Sequence, residues 1–452
     1  MGTQQEGYFE SPERMHSPDV KRNKSDTSDK ASGISTPSLY DEALPESQPV
    51  PDSSETPPDG GAQAWLQVLS GFLLYFNSWG MVTAFGVFQI FYSSTFIPAS
   101  SNSNISWIGT MQGFLLAFGS IFAGCVLDRG HPRRLIICGG FFVVFGLMMT
   151  SLCRTYWQLM LAQGICIGIG AGQLFIVAVA VLPGWFAKRR AIATGLAATG
   201  SSLGGVVYPI VFHELEPRIG FGWTLRVLGF IALATCLISV ACSKQRTLPP
   251  PRPKVVDFTG FREPLFARFA LVSFVGALSL YVPFFYIVEF TKSRGNVSDE
   301  LVSYMLPILS ASSILGRTLP ALAADKFGCL KVLTFTTAVS AILAFCWTTV
   351  HREASIVIWS ILYGAFSGAF VSLQTPTVAA ITPEMRLIGG RMGMNNFCFA
   401  LGVLVGNPIA GAIGEESDHW LGVQVFCGVS LVVSTVLIAV TWYFKERAGT
   451  KK

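Results

Sequence analysis

Gly124-Cys125-Val126-Leu127-Asp128-Arg129-Gly130-His131-Pro132-Arg133-Arg134 lies between two apolar runs, and a shorter version, Ala321-Leu322-Ala323-Ala324-Asp325-Lys326-Phe327-Gly328, lies between two later ones. Each places a small residue four positions before an acid, then a base, then a glycine. On a helix this spacing puts Gly124 and Asp128, or Ala321 and Asp325, on one face one turn apart. A neighbouring helix packs closely on the small residue. The acid then accepts from that helix's N-terminus or from an arginine on the same side of the bundle. Such a cluster closes one end of a helical bundle in one state and releases it in another. Gly124, Asp128, Arg129, Arg133, Asp325 and Lys326 are therefore the expected conformational latch. An ordinary basic loop has no reason to recur at matching places.

The runs flanking these loops are apolar almost without interruption from Trp65 to Phe444. A helix rises about 1.5 Å per residue, so about twenty residues cross a hydrocarbon core about 30 Å thick. Charged residues are 13% of the chain, against about 25% in soluble domains, and hydrophobic residues are 51%. A soluble fold would expose a very large apolar patch. Twelve spans are expected, at roughly 65–92, 105–127, 134–152, 156–182, 191–213, 223–243, 265–290, 300–323, 329–349, 354–378, 390–413 and 420–444.

The charges orient these spans. The even-numbered loops carry most of the Lys and Arg, including Arg129, Arg133, Arg134, Arg189, Arg190, Lys244, Arg246, Lys331 and Arg391; the odd-numbered loops carry few. The even loops and both tails are thus expected in the cytoplasm. The sequons Asn104-Ile105-Ser106 and Asn296-Val297-Ser298 fall in loops expected to face outward, which makes Asn104 and Asn296 candidate glycosylation sites. Residues 1–60 are too polar to offset chain entropy and are expected to form a disordered cytoplasmic tail. The Pro-rich stretch Leu248-Pro249-Pro250-Pro251-Arg252-Pro253 marks a linker, 244–264, between six-span units at 61–243 and 265–444, with a short cytoplasmic tail at 445–452. The fold expected is an all-α membrane protein of two pseudo-symmetric six-helix bundles, placed in the plasma membrane.

Several function classes fall away. The ten cysteines show no metal or redox spacing and sit mostly in or beside spans. No nucleophile–base pair or metal cluster appears at depth, so no catalytic residue, cofactor or metal is expected, and nothing points to nucleic acid. The run Gly164 to Gly172 has no preceding strand and is better read as close helix contact than as a dinucleotide loop.

The duplicated loop resembles the conserved loop motif of the major facilitator superfamily, whose layout is twelve spans in two halves with a long central loop. The likeness covers about 65–444. Pro58-Asp59-Gly60-Gly61-Ala62-Gln63-Ala64-Trp65 is similar to the acid-Gly-Gly…Trp signature of the monocarboxylate porter family, and Arg189-Arg190-Ala191-Ile192-Ala193-Thr194-Gly195-Leu196-Ala197 resembles its fungal members. The likeness implies a secondary transporter working by alternating access.

Charge inside a bilayer is costly, which makes Arg317, within the eighth span, the first substrate-binding candidate. A guanidinium there can fork to a carboxylate. Monocarboxylate porters carry an arginine at the matching place, where it is taken to hold the substrate anion. The chain departs from them at Ser313, where animal porters have an aspartate, and near Thr83, where they have a lysine. Protons are therefore only a candidate coupling ion. Asn77, Tyr281, Tyr286, Gln374 and Asn395 are further substrate-binding candidates, because polar groups in lipid either bond to another helix or line a wet cavity. The expected function is transport of a small organic solute, either a monocarboxylate-like acid or a fungal secondary metabolite, with uptake and export both open. The alternative is a non-transporting receptor that keeps the transporter fold.

Overall fold

A computed structural model describes residues 58–127, 129–186, 189–244, 246, 258–294, 297–382, 387–416 and 420–449. Among them, eleven helical stretches are long and apolar enough to cross a membrane. One, Ile192–Cys242, is 51 residues, which as a single rod would reach about 77 Å. It is two crossings. Gly220 inside it has φ 75 and ψ 164, a backbone conformation close to glycine-only. Asn77 hydrogen-bonds both Tyr208 before the kink and Thr235 after it. The chain reverses at Gly220, so the count of crossings is twelve. The loop expected around 214–222 is helical apart from that glycine.

In chain order the crossings are α1 (Ala62–Phe96), α2 (Asn102–Leu127), α3 (Pro132–Thr150), α4 (Tyr156–Gly184), α5 (190–219), α6 (221–242), α7 (Pro264–Ser293), α8 (Asp299–Phe327), α9 (Cys329–Thr349), α10 (Glu353–Ile381), α11 (Ile388–Glu416) and α12 (Leu421–Gly449). Helix ends carry local signals. Pro132 and Pro264 open α3 and α7, where a missing N–H costs nothing. The Ser298 hydroxyl accepts from the Leu301 N–H at the start of α8. Gly328, at φ 91, joins α8 to α9 in a conformation that disfavours any side chain. The outward faces are apolar: Phe141, Trp157, Phe230, Leu319, Phe335 and Ile342 are all exposed, as lipid-facing residues should be.

Each half is drawn together by glycines at a four-residue spacing. A Cβ added at Gly200 or Gly204 of α5 would strike the carbonyls of Phe72 and Phe76 on α1. One added at Gly402 or Gly406 of α11 would strike those of Phe274 and Leu278 on α7. The same small-residue seam therefore brings α5 onto α1 and α11 onto α7, at matching sequence offsets in the two halves. The glycine run of α4 works in the same way: at Gly172 a Cβ would lie 2.9 Å from the Leu116 carbonyl of α2. Across the boundary, α2 lies along α11 and α5 along α8.

Candidate substrate site between the two halves

The first helix of each half is broken near half its length. α1 runs 16 residues from Ala62 to Asn77 and breaks at Ser78, at φ −99 and ψ −91. Its hydroxyl donates to the Leu74 carbonyl at 2.8 Å, which takes up an acceptor at the break. α7 runs 17 residues from Pro264 to Leu280 and breaks at Tyr281. Pro283 has no N–H to offer the Ser279 carbonyl, and the Tyr281 N–H takes that acceptor instead. Segments of 16 and 17 residues put both breaks at about 25 Å from their starting ends. Paired discontinuous helices at corresponding depth mark where transporters place their ligands.

The residues at the two breaks meet. The Trp79 and Tyr281 rings stack across the half boundary, with centroids 5.5 Å apart and planes 6° from parallel. Phe399 of α11 approaches both rings edge-on, and Phe175 of α4 approaches Trp79 and Tyr75. The Tyr281 hydroxyl is buried and has no hydrogen-bond partner among the described residues.

Arg317 of α8 lies beside this layer. It is 3% exposed. Its Nη1 donates to the Ser201 hydroxyl of α5, in the other half, at 2.6 Å. Its Nε has no partner, and no carboxylate pairs with it among the described residues. The Tyr75 and Tyr281 side chains lie near it. One turn along α8, the Ser313 hydroxyl meets that of Ser202 at 2.7 Å and donates to the Ser310 carbonyl. The position where porters carry an aspartate thus holds a neutral hydrogen bond between the halves. A buried guanidinium without a counter-charge is costly to keep. Among the described residues the guanidinium Nε and the Tyr281 hydroxyl beside it have no hydrogen-bond partner.

Of the residues singled out from the sequence, Arg317 and Tyr281 come together here. The other four sit in polar clamps. Asn77 accepts from the Tyr208 hydroxyl at 2.7 Å and donates to the Thr235 hydroxyl at 2.8 Å, tying α1 to α5 and α6. Gln374 and Asn395 share the Ser273 hydroxyl, at 2.8 and 2.7 Å, and bond to each other at 3.0 Å, tying α7, α10 and α11. Tyr286 donates to the Asn407 carbonyl at 3.1 Å. Trp79, Ser201 and Ser202 were not singled out. The signal available for Trp79 was a tryptophan directly after Asn77-Ser78 in an otherwise apolar helix.

Arg391 was counted among the loop bases; it is 1% exposed, inside the start of α11. Its two terminal nitrogens donate to both carboxylate oxygens of Glu263, beside the start of α7, and its guanidinium lies over the Phe266 ring. That partner, far off in sequence, is why the charge tolerates burial.

The latch residues are only partly bonded. Gly124 is buried in α2, Arg129 is exposed, and Arg133 donates from Nε to the Ser243 carbonyl at 2.9 Å. Asp325 and Lys326 are exposed, with no ion pair among the described residues. Asp128 lies outside the described residues, as do Asn296 and the expected N-terminal tail up to residue 57. Asn104 is exposed in the first turn of α2, and the hydroxyl of its sequon partner Ser106 is turned inward onto the Ser103 carbonyl at 2.8 Å. At that end the halves are tied by Asn102 to Glu289 at 2.7 Å, the Ser103 N–H to Glu415 at 3.0 Å and Tyr304 to Glu214 at 3.2 Å.

Residues 67–322 and 269–452 match the family model of the Major Facilitator Superfamily. The chain belongs to the Major Facilitator Superfamily. It is 40% identical to the MFS-type transporter dbaD of Emericella nidulans over 95% of this chain and 99% of that one. It is 37% identical to the agnestins efflux protein AgnL12 of Paecilomyces divaricatus, covering 86% and 94%. The aspyridones efflux protein apdF of Emericella nidulans is 35% identical, covering 88% and 82%. A mutant of the nucleoside transporter NupG has the same fold, with a TM-score of 0.63 over 83% of this chain and 99% of that one at 12% identity. Like its relatives, this superfamily member is a multi-pass membrane transporter.

Proposed function

We propose that this transporter exports a small organic anion, a product of secondary metabolism, by alternating access about the layer that contains Trp79, Tyr281 and Arg317. The observation that carries the reading is Arg317: a buried guanidinium at the half boundary, paired with no carboxylate among the described residues and bonded across that boundary to Ser201. Rocking the halves apart breaks that one bond and frees the group for a ligand. The relatives named as efflux proteins of aspyridones and agnestins support export of a metabolite. The likeness to monocarboxylate porters supports an acidic group on it. Ser313, hydrogen-bonded to Ser202, supplies no titrating acid next to Arg317, so the porters' proton mechanism does not carry over through that position. In this reading both tails are cytoplasmic, the protein sits in the plasma membrane, and the Asp128 and Asp325 loops close the cytoplasmic end when the site faces outward.

The test is metabolite profiling of cells and medium with the gene present or deleted, and with the deletion complemented by Arg317→Ala or Arg317→Lys. Loss of an exported acid with Arg317→Ala, at normal membrane abundance, is expected, with partial return for Arg317→Lys. Undiminished export by Arg317→Ala removes Arg317 from the site. Purified protein in vesicles that binds the acid without flux would identify a receptor instead.

A further inference from the structure

The site's ligand chemistry goes beyond a charge. Trp79 and Tyr281 stand at equivalent points of the two halves: the glycine seams pair Gly200 with Phe72 on one side and Gly402 with Phe274 on the other, and the same sequence offset relates Trp79 to Tyr281. Trp79 directly follows the break at Ser78, and Tyr281 is itself the break in its helix. Their nearly parallel stack is thus a contact of one half on the other, and it must part when the halves rock. Two flat faces then look at each other across the opened boundary, with edges closed by Phe399 and Phe175. Beside the faces lie a phenol hydroxyl and a guanidinium Nε, neither with a hydrogen-bond partner among the described residues.

We infer that Trp79 and Tyr281 form a ring-binding slot, and that the substrate is a planar conjugated anion. Its ring inserts between the two side chains, and its carboxylate or enolate oxygens take the Arg317 guanidinium and the Tyr281 hydroxyl. The inference rests on the proposed transport of an organic anion and adds the ring to it. A ring in the slot replaces one aromatic contact by two, so it selects flat over puckered carbon skeletons. The guanidinium, which pairs with no carboxylate among the described residues and bonds to the neutral Ser201 hydroxyl, selects the anion over its neutral analogue.

The test uses purified full-length protein in lipid vesicles and three probes: 2-naphthoate, its saturated counterpart decahydro-2-naphthoate, and the neutral 2-acetonaphthone. Flux and equilibrium binding are measured for each. 2-Naphthoate should saturate at a concentration about tenfold below decahydro-2-naphthoate, the effect of two ring faces, and 2-acetonaphthone should be the weakest. Trp79→Phe should keep most of the preference for the flat probe, and Trp79→Leu should reduce it to less than about threefold. Equal handling of the flat and puckered acids by the wild-type protein overturns the slot while leaving anion transport standing. No binding or flux of any probe overturns both. Should Trp79→Leu not fold, the wild-type preference and Trp79→Phe still decide the question.

Discussion

Two carboxylates hold the Asn102 end of the molecule shut, and removing them should open it. Glu289 of α7 accepts from the Asn102 side chain at 2.7 Å, and Glu415 of α11 accepts from the Ser103 N–H at 3.0 Å. Both acids come from one half and both donors from the first turn of α2 in the other, where backbone amides lack helical partners. The two bonds are not equal. Glu289 is largely shielded from solvent, and a hydrogen bond to a charged group there is worth about 1.5 kcal/mol. Glu415 is exposed, which limits its bond to about 0.5 kcal/mol. Together they favour the closed end by about 2 kcal/mol, a factor of about thirty. A state open at this end and populated at about 1% would rise to about a quarter in Glu289→Ala/Glu415→Ala. Spin labels replacing the exposed Thr95 and Glu300, on a background without native cysteines, report this in pulsed dipolar distance distributions. A new long-distance population of that size is expected. A distribution unchanged from the parent would show that the two acids do not bias the gate. Glu289→Ala alone should raise the open population to about a tenth and Glu415→Ala to only about 2%.

Asn77→Ala leaves the buried Tyr208 hydroxyl without its acceptor and should cost about 1–3 kcal/mol, seen as a lower unfolding temperature in detergent. The half-saturation concentration of a transported acid should not move; a shift would place Asn77 in the substrate site. Glu263→Ala strands the buried Arg391 guanidinium, and because Glu263 is half-exposed the loss should fall near the lower end of about 3–5 kcal/mol. Replacing both, as Glu263→Ala with Arg391→Met, should recover stability in the same melts. Cys153, in the short turn between α3 and α4, is buried, and burial pushes its thiol up from the ordinary cysteine value. Less thiolate is present at pH 7.5, so maleimide should label it more slowly than free cysteine, and labelling should accelerate as pH rises.

The membrane fold was legible because its cause is local. A run of about twenty apolar residues crosses lipid whatever its neighbours do, and each break between runs is written in Gly, Pro or charge. Arg317 was legible for the same reason, since a charge in such a run stands out. Its role was not settled by that alone: Arg391 is as deeply buried, yet it is neutralised by Glu263 on another helix. The amides show the limit best. In sequence, Asn77, Gln374 and Asn395 could either line a cavity or bond to another helix; in the structure each meets a hydroxyl of another helix. The boundary between α5 and α6 was legible too, at 214–222, but the sequence suggested a loop where the structure keeps helix and turns the chain at Gly220.

By itself, the sequence determined that this chain spans a membrane, how many times, and that its two halves repeat one plan, for all of these follow from residues close together along the chain. The tertiary structure alone decided that Trp79 meets Tyr281, that Arg317 meets Ser201 and no acid among the described residues, and which polar groups bond across helices. Those depend on which helix faces adjoin across the half boundary, and contact between distant helices is set by packing, not by proximity in sequence.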